Sequence, residues 1–240
     1  MTQPRRSLCV DLGATWLRLY LTGGRRRRFI RRRAVPWRGL ARALRALRLG
    51  PLDSLVAAPT RVYLKRDRLA LARSLRRLAR KVEVVSDFEL AHRLAFGGGP
   101  GVVVVGGTGS IAFGRNPRGG TARAGGLGPL LGDEGSGFWI GKRALNEPRL
   151  SRRFPKGLAL RLAHDPEQVR AVAALAPRVL KWAAEGDAAA KKIREEAAEA
   201  LADIGLECAR ALSLSGPLAV HGSVFKDRGL RRDFERALRR

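Results

Sequence analysis

The chain has 240 residues, 45% of them hydrophobic and 29% charged, enough to bury one large core or two modest ones and too apolar for wholesale disorder. Its 48 basic residues, 40 of them arginine, stand against 21 acidic ones for a net charge of +27. Positions 1–80 hold 22 basic and 3 acidic residues, a net of +19, and a balance so weighted to the front attracts polyanions: nucleic acid, an acidic membrane surface or phosphorylated small molecules. Asp11 and Arg18 interrupt the most apolar stretch, Leu8–Leu21, which therefore reads neither as a membrane span nor as a signal-peptide core. Cys9, Cys208 and three scattered histidines cannot make a disulfide scaffold, a four-ligand zinc site or an iron–sulfur cluster. A cytoplasmic protein is expected.

Ser7–Leu12 reads as a strand that ends in a turn at Gly13, Trp16–Leu21 alternates into a second strand, and Gly23-Gly24 closes the hairpin to a third over Phe29–Val35. The period then changes. Trp37, Leu40, Leu44 and Leu47 share one helical face, with Arg38, Arg42, Arg45 and Arg48 opposite. A short strand at Leu55–Ala58, a helix carrying Leu69, Ala72, Leu75 and Leu78, and a strand at Val82–Val85 that stops at Ser86-Asp87 complete a first α/β layer. Gly97-Gly-Gly-Pro-Gly101 is the best boundary in the chain, dividing it into domains 1–97 and 98–240. The plan then restarts: a buried strand at Val102–Val105, the turn Gly106-Gly-Thr-Gly-Ser110, a strand at Ile111–Gly114 and a hairpin turn at Asn116–Gly120. A glycine-rich stretch, Gly125–Gly137, leads into a helix near Phe138–Leu145. Further helices span roughly Pro166–Ala184 and Ala188–Leu212, the second domain's helical insertion. A strand at Leu218–His221 and a helix at Asp227–Leu238 follow.

Two glycine turns carry chemistry. Asp11-Leu-Gly13-Ala-Thr15 puts a carboxylate at the end of a buried strand, where Asp11 could hold a hydrated Mg²⁺ while backbone N–H groups and the Thr15 hydroxyl hold a phosphate. An ordinary hairpin with a turn-forming Asp and Gly would look the same. Gly106–Ser110 is richer in glycine than a hairpin needs. Gly107, Gly109 and Ala112 satisfy the loose dinucleotide pattern, but strand and turn residues follow where a helix would have to start. A P-loop at Gly141-Lys142 fails too, because Ser136 and Arg143 stand where glycine and Ser/Thr belong. What remains is a loop of backbone donors, Gly107, Thr108, Gly109 and Ser110, facing a phosphate. An acidic turn and a Gly-Thr-Gly-Ser turn a domain apart can grip one nucleotide's phosphates from two sides.

Gly125-Gly-Leu-Gly-Pro-Leu-Leu-Gly-Asp-Glu-Gly-Ser-Gly-Phe-Trp-Ile140 resembles the signature of the N-acetylglucosamine kinase and BadF/BadG/BcrA/BcrD ATPase family, within the actin-like sugar kinase/Hsp70/actin superfamily. Asp11–Thr15 is similar to that family's first phosphate motif and Gly107–Ser110 to its second. Ser86-Asp87 resembles the site of its catalytic aspartate, and Val220-His-Gly-Ser-Val-Phe225, with Gly222 and Ser223, its adenosine-contacting turn. The resemblance implies an α/β fold of two ribonuclease-H-like domains, mixed sheets flanked by helices, closing on Mg²⁺ and ATP in a cleft. It makes Asp87 the base that takes the acceptor's hydroxyl proton, although a Ser-Asp pair before a helix also reads as an N-cap. It places Gly126, Leu127, Asp133 and Glu134 on the acceptor side, with Asp133 against a sugar hydroxyl, while Asp133 and Glu134 also suit a helix start. It leaves a homodimer open.

Departures gather on the acceptor side. Relatives that bind N-acetylglucosamine carry Trp at Leu127 and Asn at Ile111, and the arginines of Arg25–Arg28 and Arg31–Arg33 replace an early acceptor-binding Asn. Apolar groups cannot hydrogen-bond a sugar, so discrimination should suffer. The cluster-ligating cysteines of the dehydratase-activator branch are lacking. The expected function is an ATP-dependent kinase acting on a sugar-type hydroxyl, an amino sugar or an anionic relative of one. An ATP-driven switch, or a polyanion binder on a degenerate kinase scaffold, is the alternative. The arginine run reads as a solvated face, with only Phe29 inside it to stack on a base, so nucleic acid is expected to bind weakly and non-specifically.

Overall fold

The computed structural model describes residues 6–13, 16–23, 28–60, 62, 64–216 and 218–240. The chain divides into two compact units, Met1–Leu90 and Ala91–Arg240.

The first unit is a five-stranded sheet. β1 (Ser7–Leu12), β2 (Trp16–Thr22) and β3 (Arg28–Arg33) form an antiparallel meander, and β4 (Leu52–Pro59) and β5 (Ala79–Val84) run parallel to β1, giving the order β3-β2-β1-β4-β5. Strict alternation buries Leu8, Val10 and Leu12 of β1 and Leu17, Leu19 and Leu21 of β2 on one face. Against that face pack Leu40, Ala41 and Leu44 of α1 (Leu40–Ala46) and Leu71 and Leu75 of α2 (Lys65–Leu75). The helix expected from Trp37 begins as a single 3₁₀ turn, Trp37–Gly39, before α1; Pro36 and Gly39 both disfavour an earlier α start. α3 (Asp87–Phe96) follows β5.

The second unit repeats the plan. β6 (Gly101–Gly106), β7 (Ser110–Arg115) and β8 (Thr121–Gly125) form a meander and β9 (Leu218–His221) runs parallel to β6, in the order β8-β7-β6-β9. The helices α4 (Gly137–Asn146), α5 (Pro148–Ser151), α6 (Leu158–Ala163), α7 (Gln168–Ala173), α8 (Ala176–Ala184) and α9 (Ala188–Ala211) lie between β8 and β9. α10 (Arg228–Ala237) follows, capped by the Asp227 carboxylate, which accepts from Leu230 N at 2.7 Å.

α9 carries the core. Ala190, Ile193, Ala197, Leu201, Gly205 and Cys208 form one buried stripe, and Gly205 lets the helix sit against Leu218 and Val104, where a Cβ would approach both to under 3 Å. The long helix expected over Pro166–Ala184 is instead α7 and α8 with a break between them. Pro177, in the first turn of α8, has no N–H to continue a helix through that point.

Candidate active site

In the first unit the candidate residues collect at the C-terminal ends of parallel strands, the edge at which open α/β sheets bind ligands. Asp11 stands at the end of β1, opposite Ala58 of β4 and Arg18 of β2. Thr60, just past β4, is tied to β1 by its N–H (2.9 Å) and its hydroxyl (3.0 Å), both donating to Leu12 O. Asp87 follows β5, two strand spacings or about 10 Å from the line of β1. Asp11 is not alone: Arg18 Nη1 donates to its Oδ2 at 2.7 Å, fixing the rotamer of the half-exposed carboxylate. Gly13 N–H closes the turn onto Trp16 O at 3.0 Å. A Cβ there would meet nothing closer than 3.5 Å, so what glycine preserves is open access to the backbone. Thr15 and Arg25–Arg27 lie outside the described residues.

The start of α3 is a capping box. Ser86 Oγ accepts from Glu89 N at 3.2 Å, while Glu89 Oε2 accepts from Ser86 N at 2.6 Å and from Ser86 Oγ at 2.7 Å. Arg68 adds a 3.1 Å bond to the same Glu89 oxygen. Ser86 and Glu89 thus cap the helix, and Asp87 is its first turn, half-buried, with Oδ1 3.0 Å from Phe88 N.

In the second unit the Gly107–Ser110 turn is held from beneath. Ser110 N donates to Asp133 Oδ1 at 3.2 Å, Ser110 Oγ donates to Glu134 O at 2.7 Å, and Gly137 N and Phe138 N donate to Gly107 O and Thr108 O at 2.7 and 3.1 Å. The Asp133 carboxylate fits so closely that a Cβ on Gly109 would lie 2.7 Å from it. Asp133 is 7% exposed and left-handed at φ 62°, a conformation that costs a non-glycine residue about 1–2 kcal/mol. Burial pushes its pKa up, the Ser110 N–H pulls it back, Glu134 raises it and a backbone bond from Gly128 lowers it. Thr108 and the Glu134 side chain stay exposed.

The turn after β9 meets the same place. Gly222, at φ 110°, lies so close to Gly106 that a Cβ would run into its backbone, and Gly106 in turn leaves space for Val224 and Phe225. β6 and β9 are parallel, Val105 beside His221, so Gly107 and Gly222-Ser223 emerge side by side at one end of the sheet. Gly126, at φ 70°, packs over Ile111, and Leu127 beside it is 66% exposed.

These positions bring together Asp11 with Asp87 on one sheet edge, and Gly107–Ser110, Asp133, Gly222 and Ser223 on the other. Three supporting roles lie outside the motifs named above: Arg18 on Asp11, the Ser86–Glu89 box, and the Asp133 brace. The box is written in the sequence as Ser-x-x-Glu; the other two depend on strand register and on a contact 23 residues apart.

The profile of the BadF/BadG/BcrA/BcrD ATPase family matches residues 40–240. The chain belongs to that family. The chain is 48% identical over 65 residues, 27% of its own length and 21% of the relative's, to the N-acetylmuramic acid/N-acetylglucosamine kinase of Clostridium acetobutylicum. It is 32% identical over 157 residues to the N-acetyl-D-glucosamine kinase of Dictyostelium discoideum, covering 55% of this chain and 49% of that one. The chain thus spans about half or less of the length of these two relatives. A solved structure from Chromobacterium violaceum, provisionally named an N-acetylglucosamine kinase, shares the fold at a TM-score of 0.70 with 24% identity, over 97% of this chain and 91% of that one. The α/β fold of that structure, with its mixed sheets, is therefore this family member's fold.

Proposed function

We propose that this chain is an ATP-dependent kinase that transfers the γ-phosphate to a hydroxyl of a sugar, with an amino sugar as the acceptor class. The observation that carries the reading is the pair of glycine turns at Gly106–Ser110 and Gly222-Ser223, one braced by a buried carboxylate. A loop built that rigidly presents N–H groups to phosphate without reorganising. The two relatives named as amino-sugar kinases support the acceptor class.

In this reading Asp11 holds hydrated Mg²⁺, and the residues present fit such an ion. Mg²⁺ keeps several waters and needs one or two carboxylates beside the nucleotide's phosphates, and Asp11 is a single half-exposed carboxylate aimed by Arg18. When bound, the ion neutralises charge on the transferring phosphoryl group. Thr108 and Gly109 present the turn's N–H groups to phosphate, while Gly107 and Ser110, whose N–H groups bond Gly109 O and Asp133 Oδ1, hold the turn in shape; Gly222 and Ser223 border the adenosine, and Gly13 and Thr15 line the first phosphate turn. Asp87 takes the proton of the attacking hydroxyl; with Ser86 and Glu89 forming the cap, its carboxylate is not needed to start the helix. Asp133 supports the phosphate turn and, with Gly126, Leu127 and Glu134, stands on the acceptor side.

A second reading, an ATPase that works without an acceptor, is favoured by Ile111 and the exposed Leu127, which offer a sugar no hydrogen bond. ADP release measured with and without a panel of hexoses, amino sugars and their acidic counterparts separates the two. Turnover that depends on an amino sugar supports the kinase; turnover indifferent to every acceptor overturns it.

A further inference from the structure

The two faces of the first sheet differ in character. One is the leucine core under α1 and α2. The opposite face of β2 and β3 carries Trp16, Arg18, Tyr20, Phe29, Arg31 and Arg33, brought into register as the pairs Trp16–Arg33, Arg18–Arg31 and Tyr20–Phe29. Tyr20 and Phe29 are 46% and 57% exposed, with ring centroids 5.0 Å apart and planes tilted by 42°. The Arg31 guanidinium lies 3.6 Å over the Trp16 ring and that of Arg33 5.2 Å from it. Among the described residues of β1–β3, Asp11 is the one carboxylate, and Arg18 bonds its Oδ2 at 2.7 Å.

A cross-strand aromatic pair steadies the two strands, and here it also leaves about half of each ring open among guanidinium groups. Aromatic rings on neighbouring strands, ringed by guanidinium groups, match the two parts that a polynucleotide offers together: flat bases to stack on and phosphates to pair with. A duplex hides its base faces, so the match is to unpaired strands. The linear sequence conceals this, because Tyr20 and Trp16 lie across a hairpin from the arginine run and only strand register sets them beside Phe29, Arg31 and Arg33.

We infer that the outer face of β2 and β3 is a binding surface for single-stranded nucleic acid, with Tyr20 and Phe29 stacking on successive bases and Arg31 and Arg33 pairing with the phosphates between them.

The test is fluorescence anisotropy of the full chain with a labelled dT12 strand, and with the same strand annealed to its complement, across a salt series. Single strand should bind more tightly than duplex. Tyr20→Leu with Phe29→Leu keeps apolar bulk on the strands and removes the stacking rings; it should weaken binding about tenfold or more and leave the slope of log affinity against log salt unchanged. Arg31→Ser with Arg33→Ser should instead reduce that slope, by about 0.7 for each phosphate that the protein no longer neutralises. Unchanged far-UV circular dichroism and melting midpoint confirm folding, and the single variants Tyr20→Phe, which should retain binding, and Phe29→Leu serve if the double variant unfolds. Equal affinity for duplex, or single-strand binding indifferent to the loss of both rings, would overturn the inference. So would binding to phosphatidylserine vesicles, or self-association abolished by the Leu variants, without any binding of dT12.

Discussion

At the scale of single residues, Asp87 and its neighbours allow base and cap to be separated. Because Ser86 and Glu89 make the capping box, Asp87→Asn should leave the melting midpoint and ATP affinity nearly unchanged while lowering acceptor-dependent phosphoryl transfer by about 10²–10⁴, the usual loss of a general base. Ser86→Ala should do the reverse, costing about 1 kcal/mol of stability through the lost cap with a much smaller effect on the chemical step. Stopped-assay ADP release and urea melts on the two variants decide it; full activity in Asp87→Asn removes the base from the mechanism. Asp133 gives a pH-dependent counterpart. Its folded pKa is raised above the unfolded 3.8, chiefly by burial, so its contribution to stability is fully present below 3.8 and is lost as pH rises through the folded value. Asp133→Asn can still accept from Ser110 N and has no charge to bury. It should flatten that part of the stability–pH curve, with urea midpoints measured from pH 3.5 to 7, and a variant curve parallel to the parent's throughout would show that the carboxylate carries no such cost.

At the scale of elements, the contact between the β6–β7 and β9 turns rests on one glycine each. Gly222 combines φ 110° with a Cβ path blocked by Gly106 backbone, so Gly222→Ala must move main chain. The expected loss is about 1–3 kcal/mol of stability together with weaker nucleotide binding by calorimetry, whereas Gly107→Ala, with open space at its Cβ, should cost little stability. The strands that carry these turns were legible in the sequence because alternation and valine runs mark buried strands; Leu218–His221 was read to the residue. The short helices α5 and α6 were not. Pro148, Gly157 and Pro166 cut that stretch into pieces too short to show a helical period. The site divides the same way. Its turn residues announce themselves through glycine, but the Arg18–Asp11 pair and the Asp133 brace arise from register and long-range packing, which local pattern does not encode. The aromatic character of the arginine face was invisible for the same reason.

At the scale of the whole molecule, the question is where one folding unit gives way to the next. The glycine linker Gly97–Gly101 marks one boundary, after α3. Yet Ala91 and His92 of α3 are 4% and 2% exposed, His92 meets the edge of Phe113 at 5.4 Å and lies 5.1 Å from Phe96, and its Nε2 is 3.2 Å from Gly101 O. A Cβ on Gly101 would overlap the Phe96 ring, so the linker's last glycine is shaped around the helix that precedes it. We therefore place the start of the second folding unit before α3's last turns. A fragment 85–240 keeps the capping box and these contacts, while a fragment 98–240 loses Ala91, His92 and Phe96 and exposes what they cover. The longer fragment should be more stable by about 2–5 kcal/mol, the range for deleting a large core side chain. His92 supplies an independent signature. Burial holds its pKa below 6.5, the Gly101 carbonyl opposes that, and Arg115 and Arg93 lower it further. Its stabilising contribution is thus complete above pH 6.5 and lost as pH falls through the depressed folded value. Urea midpoints should fall with acidification in 85–240 more steeply than in 98–240, and His92→Gln in the longer fragment should bring the two slopes together. Equal stability and parallel pH curves for the two fragments would return the boundary to the glycine linker.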